Sequence, residues 1–190
     1  MKTMNPDSEL LRAGYTSYHK AVHAVMGFRR QVGETIQKVV IDRAPELAVA
    51  MKLGNKDELL SDIGPYTKPD RLTQEYDGSS AEIGINIPRR WNNQWQISFY
   101  FWIGNDDQPE DCAYICAYIW LKNPGSAFES LVGSGKLARD EEDERGAWIS
   151  EILPPDGSRD LATVCNRVMD RWITMWEEVG GLRQFLPEKV

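Results

Sequence analysis

Apolar side chains recur along the first fifth of the chain at alternating steps of four and three: Leu11, Tyr15, Tyr18, Val22, Val25, then Arg29, then Val32, Ile36 and Val39. Only Arg29 departs from apolar character. This is a heptad seam, and it predicts one helix from Glu9 to Asp42, capped by Asp7 or Ser8 and roughly 50 Å long. Gly27 and Gly33 are the positions where it could bend. Pro45 suits the first turn of a second, shorter helix through Lys52, closed by Gly54.

Residues 55–80 are polar and turn-rich and read as a connection, with a helical turn near Glu58 to Ile63. The period then changes to two. Ile83, Ile85 and Ile87 alternate with Glu82, Gly84 and Asn86, and Pro88 ends that strand. Trp95–Ile103 and Cys112–Leu121 form a hairpin around the loop GNDDQPED. Ser126–Val132 suits a short helix, 133–145 a charged loop, and Trp148–Leu153 a fourth strand. A last helix, capped by Ser158, carries the stripe Leu161, Val164, Val168, Trp172, Met175, Trp176 and Val179, and Gly180 and Gly181 end it. The fold class is α+β: a mainly antiparallel four-stranded sheet flanked by a long N-terminal and a C-terminal helix, in the order α-α-β-β-β-α-β-α. Residues 1–190 form one domain, with a helical segment over 1–54, the connection over 55–80, and the sheet and last helix over 81–190.

If Trp95 pairs with Leu121, the hairpin sorts into two faces. Trp95, Ile97, Phe99, Phe101 and Ile103 oppose Leu121, Ile119, Ala117, Ile115 and Ala113, large against small, as a packed core requires. The other face gathers Gln96, Ser98, Tyr100 and Trp102 with Cys112, Tyr114, Cys116, Tyr118 and Trp120. Tyrosine and tryptophan bury a ring and keep a polar tip, so this face suits half-wet packing or an interface. The protein's own helices, a second copy or a different partner could cover it.

Composition narrows the classes. At 42% hydrophobic, the chain is too apolar for disorder. No apolar run is long enough to cross a bilayer, and MKTMNPDSELL lacks the apolar core of a signal peptide. Two of the three cysteines, Cys112 and Cys116, lie about 13 Å apart on one strand, beyond disulfide reach. Free thiols lead us to expect a cytoplasmic protein. The net charge of −7 is uneven: residues 1–54 carry +3, 55–158 carry −10, and 159–190 are neutral. Such a middle opposes direct nucleic-acid binding and favours a partner with a basic surface. Asp106, Asp107, Glu110 and Asp111 crowd the hairpin loop, and Asp140 to Glu144 crowd the later one.

Candidate chemistry is sparse. His19 and His23 have the i, i+4 spacing that can present two imidazoles to one metal, but no glutamate lies between them for general-base work. The cysteines have no histidine placed beside them, and no EF-hand loop, P-loop or nucleophile elbow is present. The order helix, three strands, helix, strand, with Pro69-Asp70 ahead of Glu82, resembles the core of the PD-(D/E)xK nucleases in topology. That resemblance implies carboxylates and a lysine on adjacent strands that hold a metal and activate water. Here Gly84 stands where the motif lysine would, and 114–122 offers no Glu-x-Lys.

The sequence therefore reads as an acidic, non-enzymatic protein-binding module without cofactor or metal. Its partner surface is Tyr100, Trp102, Tyr114, Tyr118 and Trp120, rimmed by Asp106, Asp107, Glu110 and Asp111. Inhibitor, immunity, anti-defence and chaperone proteins fit this description, and charge favours an inhibitor of a nucleic-acid-binding machine. One alternative is a metal-dependent nuclease with an altered site. Another is a structural protein that forms a homodimer through the first helix.

Overall fold

The seam from Leu11 to Val39 lies on one uninterrupted helix, α1 (Pro6–Ala50), of 45 residues and roughly 65 Å. The computed structural model describes residues 6–53, 64–65, 81–87, 95–103, 113–154 and 157–186. Pro45 does not begin a second helix, as its sequence signal suggests, but sits inside the first. It removes the amide that would bond the Ile41 carbonyl, and its position is exposed. The packing on either side holds the helix through this gap: Ala44, Leu47 and Ala48 are all buried. Gly54 and the turn proposed at 58–63 lie outside the described residues.

The chain continues through β1 (Gly64–Pro65), β2 (Ala81–Ile87), β3 (Trp95–Ile103), β4 (Ala113–Leu121), α2 (Ser126–Gly133), β5 (Ala138–Arg139), β6 (Gly146–Leu153), α3 (Leu161–Val179) and a 3-10 turn over Leu182–Phe185. The six strands form one antiparallel sheet in the order β1-β2-β3-β4-β6-β5. This is the α+β class read from the pattern, with two-residue strands added at both edges. β5 falls inside the stretch expected to be a charged loop.

Trp95 pairs with Leu121, and the register runs to Ile103 with Ala113. Trp95, Ile97, Phe99 and Phe101 therefore share a face with Ile115, Ala117, Ile119 and Leu121, and Ala147 and Ile149 of β6 extend it. All are buried. The C-terminal half of α1 and the stripe of α3 pack on this face in a single core, which also takes in Phe128 and Leu131 of α2. Each large side chain fully buried there contributes about 1.5–3 kcal/mol of transfer free energy.

α3 is delimited by its own residues. The Asp160 side chain, not Ser158, accepts the Thr163 amide at 2.9 Å as the N-cap. Gly180 closes the helix in the left-handed conformation. Next to it, Gly181 has φ of 98° and presses on the end of α1, where an added Cβ would lie 2.9 Å from the Met51 carbonyl oxygen. Leu182 donates its amide to that oxygen at 3.0 Å. Arg43 of α1 reaches Asp170 of α3 at 2.7 Å. On β6, Glu151 meets Arg167 and Arg171 of α3 at 3.4 and 3.8 Å.

Candidate aromatic binding face

Because α1, α2 and α3 all contribute to one core, no helix among the described residues lies on the opposite face of the sheet. Strand register defines that face. It comprises Gln96, Ser98, Tyr100 and Trp102 of β3, Tyr114, Cys116, Tyr118 and Trp120 of β4, and Trp148, Ser150 and Ile152 of β6. Backbone register also sets Glu82 and Gly84 of β2 beside Trp102 and Tyr100. The small residues Ser98 and Cys116 are buried at the centre, and Tyr100, Tyr114, Tyr118, Trp120 and Trp148 are half-buried. Trp102 is 37% exposed and Ile152 49%.

The rings form two contacts across β3 and β4. Trp102 and Tyr114 stand directly opposite each other with centroids 5.4 Å apart, and Tyr100 meets Tyr118 edge-on at 6.4 Å. Such pairs add about 0.5–1.5 kcal/mol beyond their burial. Each contact limits the freedom of the rings it joins, which lowers the ordering cost of docking a partner.

One rim of the face is built by residues 140–145. Tyr118 donates its hydroxyl proton to Asp140 at 3.0 Å, and the Trp120 indole N–H donates to Asp143 at 2.9 Å. Arg145 lies over the Trp120 ring, 5.0 Å from its centroid, and donates to both oxygens of Asp143 at 2.8 and 2.7 Å. Asp140 also accepts the Glu142 amide at 3.0 Å. The loop is thus fastened to the rings by two carboxylates, while Glu141, Glu142 and Glu144 remain exposed. Asp106, Asp107, Glu110 and Asp111 lie outside the described residues. The connection that carries them leaves β3 at Ile103 and enters β4 at Ala113, the end of β4 away from Trp120 and the 140–145 rim.

Local electrostatics follow from these bonds. Burial, with Asp140 next in weight, pushes the Tyr118 phenol well above its ordinary pKa. Its hydrogen bond from Arg145 holds the Asp143 carboxyl well below the usual carboxylate range. A carboxylate with a lowered folded pKa adds stability that is present above its unfolded value, about 4, and is lost as pH falls through the folded value. The Asp143–Trp120 bond should therefore persist at pH 4 and loosen only in stronger acid. The Trp120 indole N–H resonance measures this: its titration midpoint should lie below ordinary carboxylates and rise toward them in Arg145→Ala. A midpoint that does not move would remove Arg145 as the cause.

Gly146 makes room for this arrangement. A Cβ there would fall 2.2 Å from the Tyr118 hydroxyl, because the ring lies across the glycine. Gly146→Ala should cost about 1–3 kcal/mol in thermal or denaturant unfolding. In a Tyr118→Ala background it should cost little, since the obstruction is gone. Equal costs in both backgrounds would disprove the ring-over-glycine account.

The remaining candidates are dispersed. The His19 and His23 rings on α1 meet at 4.4 Å between centroids, tilted by 53°. Among the described residues no group of three His, Cys, Asp or Glu side chains could hold a metal ion. Cys116 and Cys165 are buried and form no disulfide, and burial pushes the Cys165 thiol up to about 12, so it is a poor nucleophile. Cys112 and Asp70 lie outside the described residues. No described helix is long and apolar enough to cross a membrane. Trp148, Ile152 and the rim bonds of Asp140 and Asp143 are additions to the face read from sequence. The period-two pattern of β6 could have supplied Trp148 and Ile152, once β6 was known to lie beside β4.

Among the described residues, the architecture is an antiparallel sheet with helices on one side and a half-open aromatic surface on the other. Comparison with family models, with curated proteins and with solved structures returned no match for this chain.

Proposed function

We propose that this chain is a non-enzymatic protein-binding module that seats a basic-surfaced partner on the aromatic sheet face. The observation that carries the reading is the one-sided packing of the described helices, which leaves Trp102 and Ile152 exposed beside five half-buried rings. Large aromatic side chains with polar tips are what interface centres use. The charge distribution supports the choice of partner. Residues 55–158 carry −10, and three exposed glutamates stand on the rim. Acidic rims steer basic surfaces into contact and speed association. A nucleic-acid-binding machine offers such a surface, so inhibition of one is the form of the function we favour. The buried thiols, which form no disulfide, fit a reducing compartment such as the cytoplasm.

The test uses the chain as bait against extracts of its source cells, in parallel with Trp102→Ala and with a variant in which Glu141, Glu142 and Glu144 are all Gln. A captured basic protein that is lost with Trp102→Ala and weakened by the triple charge change supports the reading. Equal capture by all three chains would sink it.

A further inference from the structure

We infer that the N-terminal arm of α1 pairs with the same arm of a second copy of the chain, the two helices running antiparallel. The heptad seam divides into two parts. From Val32 onward it is buried in the core, whereas Leu10, Leu11, Tyr15, Tyr18, Val25 and Met26 are exposed, Tyr18 at 70% and Leu11 at 74%. The arm is thus an apolar stripe on a helix segment of about 20 residues with little tertiary cover. A segment of that length is marginal as an isolated helix in water, because most helical stability comes from packing an amphipathic face. The six exposed side chains offer on the order of 800 Å2 per copy, the area each partner gives up in a standard interface.

The arm's own residues identify the occupant. In an antiparallel pair, a and d positions of one helix face d and a positions of the other. Aligned about a two-fold axis at the level of Lys20, Tyr18 faces Val22 and Tyr15 faces Val25 of the second copy. The layers Tyr18–Val22 and Tyr15–Val25 each join one large ring to one β-branched side chain, the outer layer sets Leu11 against Arg29, and no layer joins ring to ring. The charges agree with this alignment: Asp7 and Glu9 lie at the start of the arm and Arg29 and Arg30 at its end, so each acidic end runs beside a basic one. A parallel pair would set Arg29 against Arg29 and crowd the two sheet domains at one end. The antiparallel pair sends them to opposite ends, and a two-fold axis lets one surface serve as its own partner.

The test is sedimentation equilibrium on the full chain, with Tyr18→Asp combined with Val22→Asp as the variant. Neither residue belongs to the buried core or packs against it, so the melt of the body reports intact folding. The wild type should be a dimer at tens of micromolar, and the variant should raise the dissociation constant about a hundredfold or more with an unchanged melt. Orientation is read by oxidising an equimolar mixture of Tyr15→Cys and Val25→Cys chains and mapping the linked peptides. A mixed disulfide between positions 15 and 25 supports the antiparallel pair, whereas 15–15 or 25–25 linkage overturns it. A monomeric wild type, or a variant that dimerises as well as the wild type, overturns the pairing itself.

Discussion

Trp176→Ala should lower the stability of the folded chain by about 3–5 kcal/mol, the range for removing a fully buried tryptophan. Trp176 is completely buried, with Trp172 at 5.5 Å and Phe185 at 4.7 Å between centroids. Phe185 in turn meets Phe128 of α2 at 6.0 Å. Trp176 and Phe185 together therefore link α3, the C-terminal turn and α2, and losing the tryptophan opens a cavity beside this ring cluster. For a chain of this size the melting temperature should fall by roughly 10 °C or more. Trp176→Phe should cost far less, for a specific reason. The indole N–H of Trp176 has no acceptor among the described residues, so phenylalanine removes a buried donor that gains nothing from being polar. If alanine and phenylalanine destabilise equally, the N–H has a partner that matters and this account of the core is wrong.

How much of this was legible in advance differs between the elements. The hairpin faces followed from one assumed pair, Trp95 opposite Leu121, which gathers the apolar positions of both strands on one side, and the structure has that pair. The α3 stripe was readable because a 3.6-residue period with a glycine stop has few other interpretations. Pro45 misled because proline at a helix start is a local preference, and buried packing on both sides of it overrides that preference. Ser158 misled in the same way: two residues further on, Asp160 offers the better-placed oxygen. The rim could not be read at all. Nothing local in the 140–145 stretch says that Asp140 will meet Tyr118 and Asp143 will meet Trp120, because both bonds depend on β6 lying next to β4. The heptad seam told which residues are apolar and repeat. Only the folded body, which ends at about Val32, divides them into a buried half and an exposed arm.

Trp102→Ala should leave folding nearly intact while weakening binding of the basic partner by about 2 kcal/mol or more, a loss of about 30-fold. The two halves of that expectation rest on different facts. Trp102 is more than a third exposed, and its described ring contact is Tyr114 at 5.4 Å, so truncation opens no closed cavity. A melt lowered by only a few degrees is expected. As an interface anchor, by contrast, a tryptophan that becomes fully desolvated against a partner is among the most costly residues to remove. The exposed rim should respond in the opposite way. Changing Glu141, Glu142 and Glu144 to Gln should slow association and flatten its dependence on salt, with almost no change in the melt, since screened surface charges act mainly on the approach of the partner. Tyr118→Ala should fall between these cases. Tyr118 anchors the rim through Asp140 and lies over Gly146, so losing it should lower the melt as well as the affinity. The deciding comparison is a thermal melt and an association rate measured on the same Trp102→Ala sample. A melt that falls by ten degrees or more, with the folded fraction binding at the wild-type rate, would make this surface a second core under segments beyond the described residues, and the partner would have to dock elsewhere.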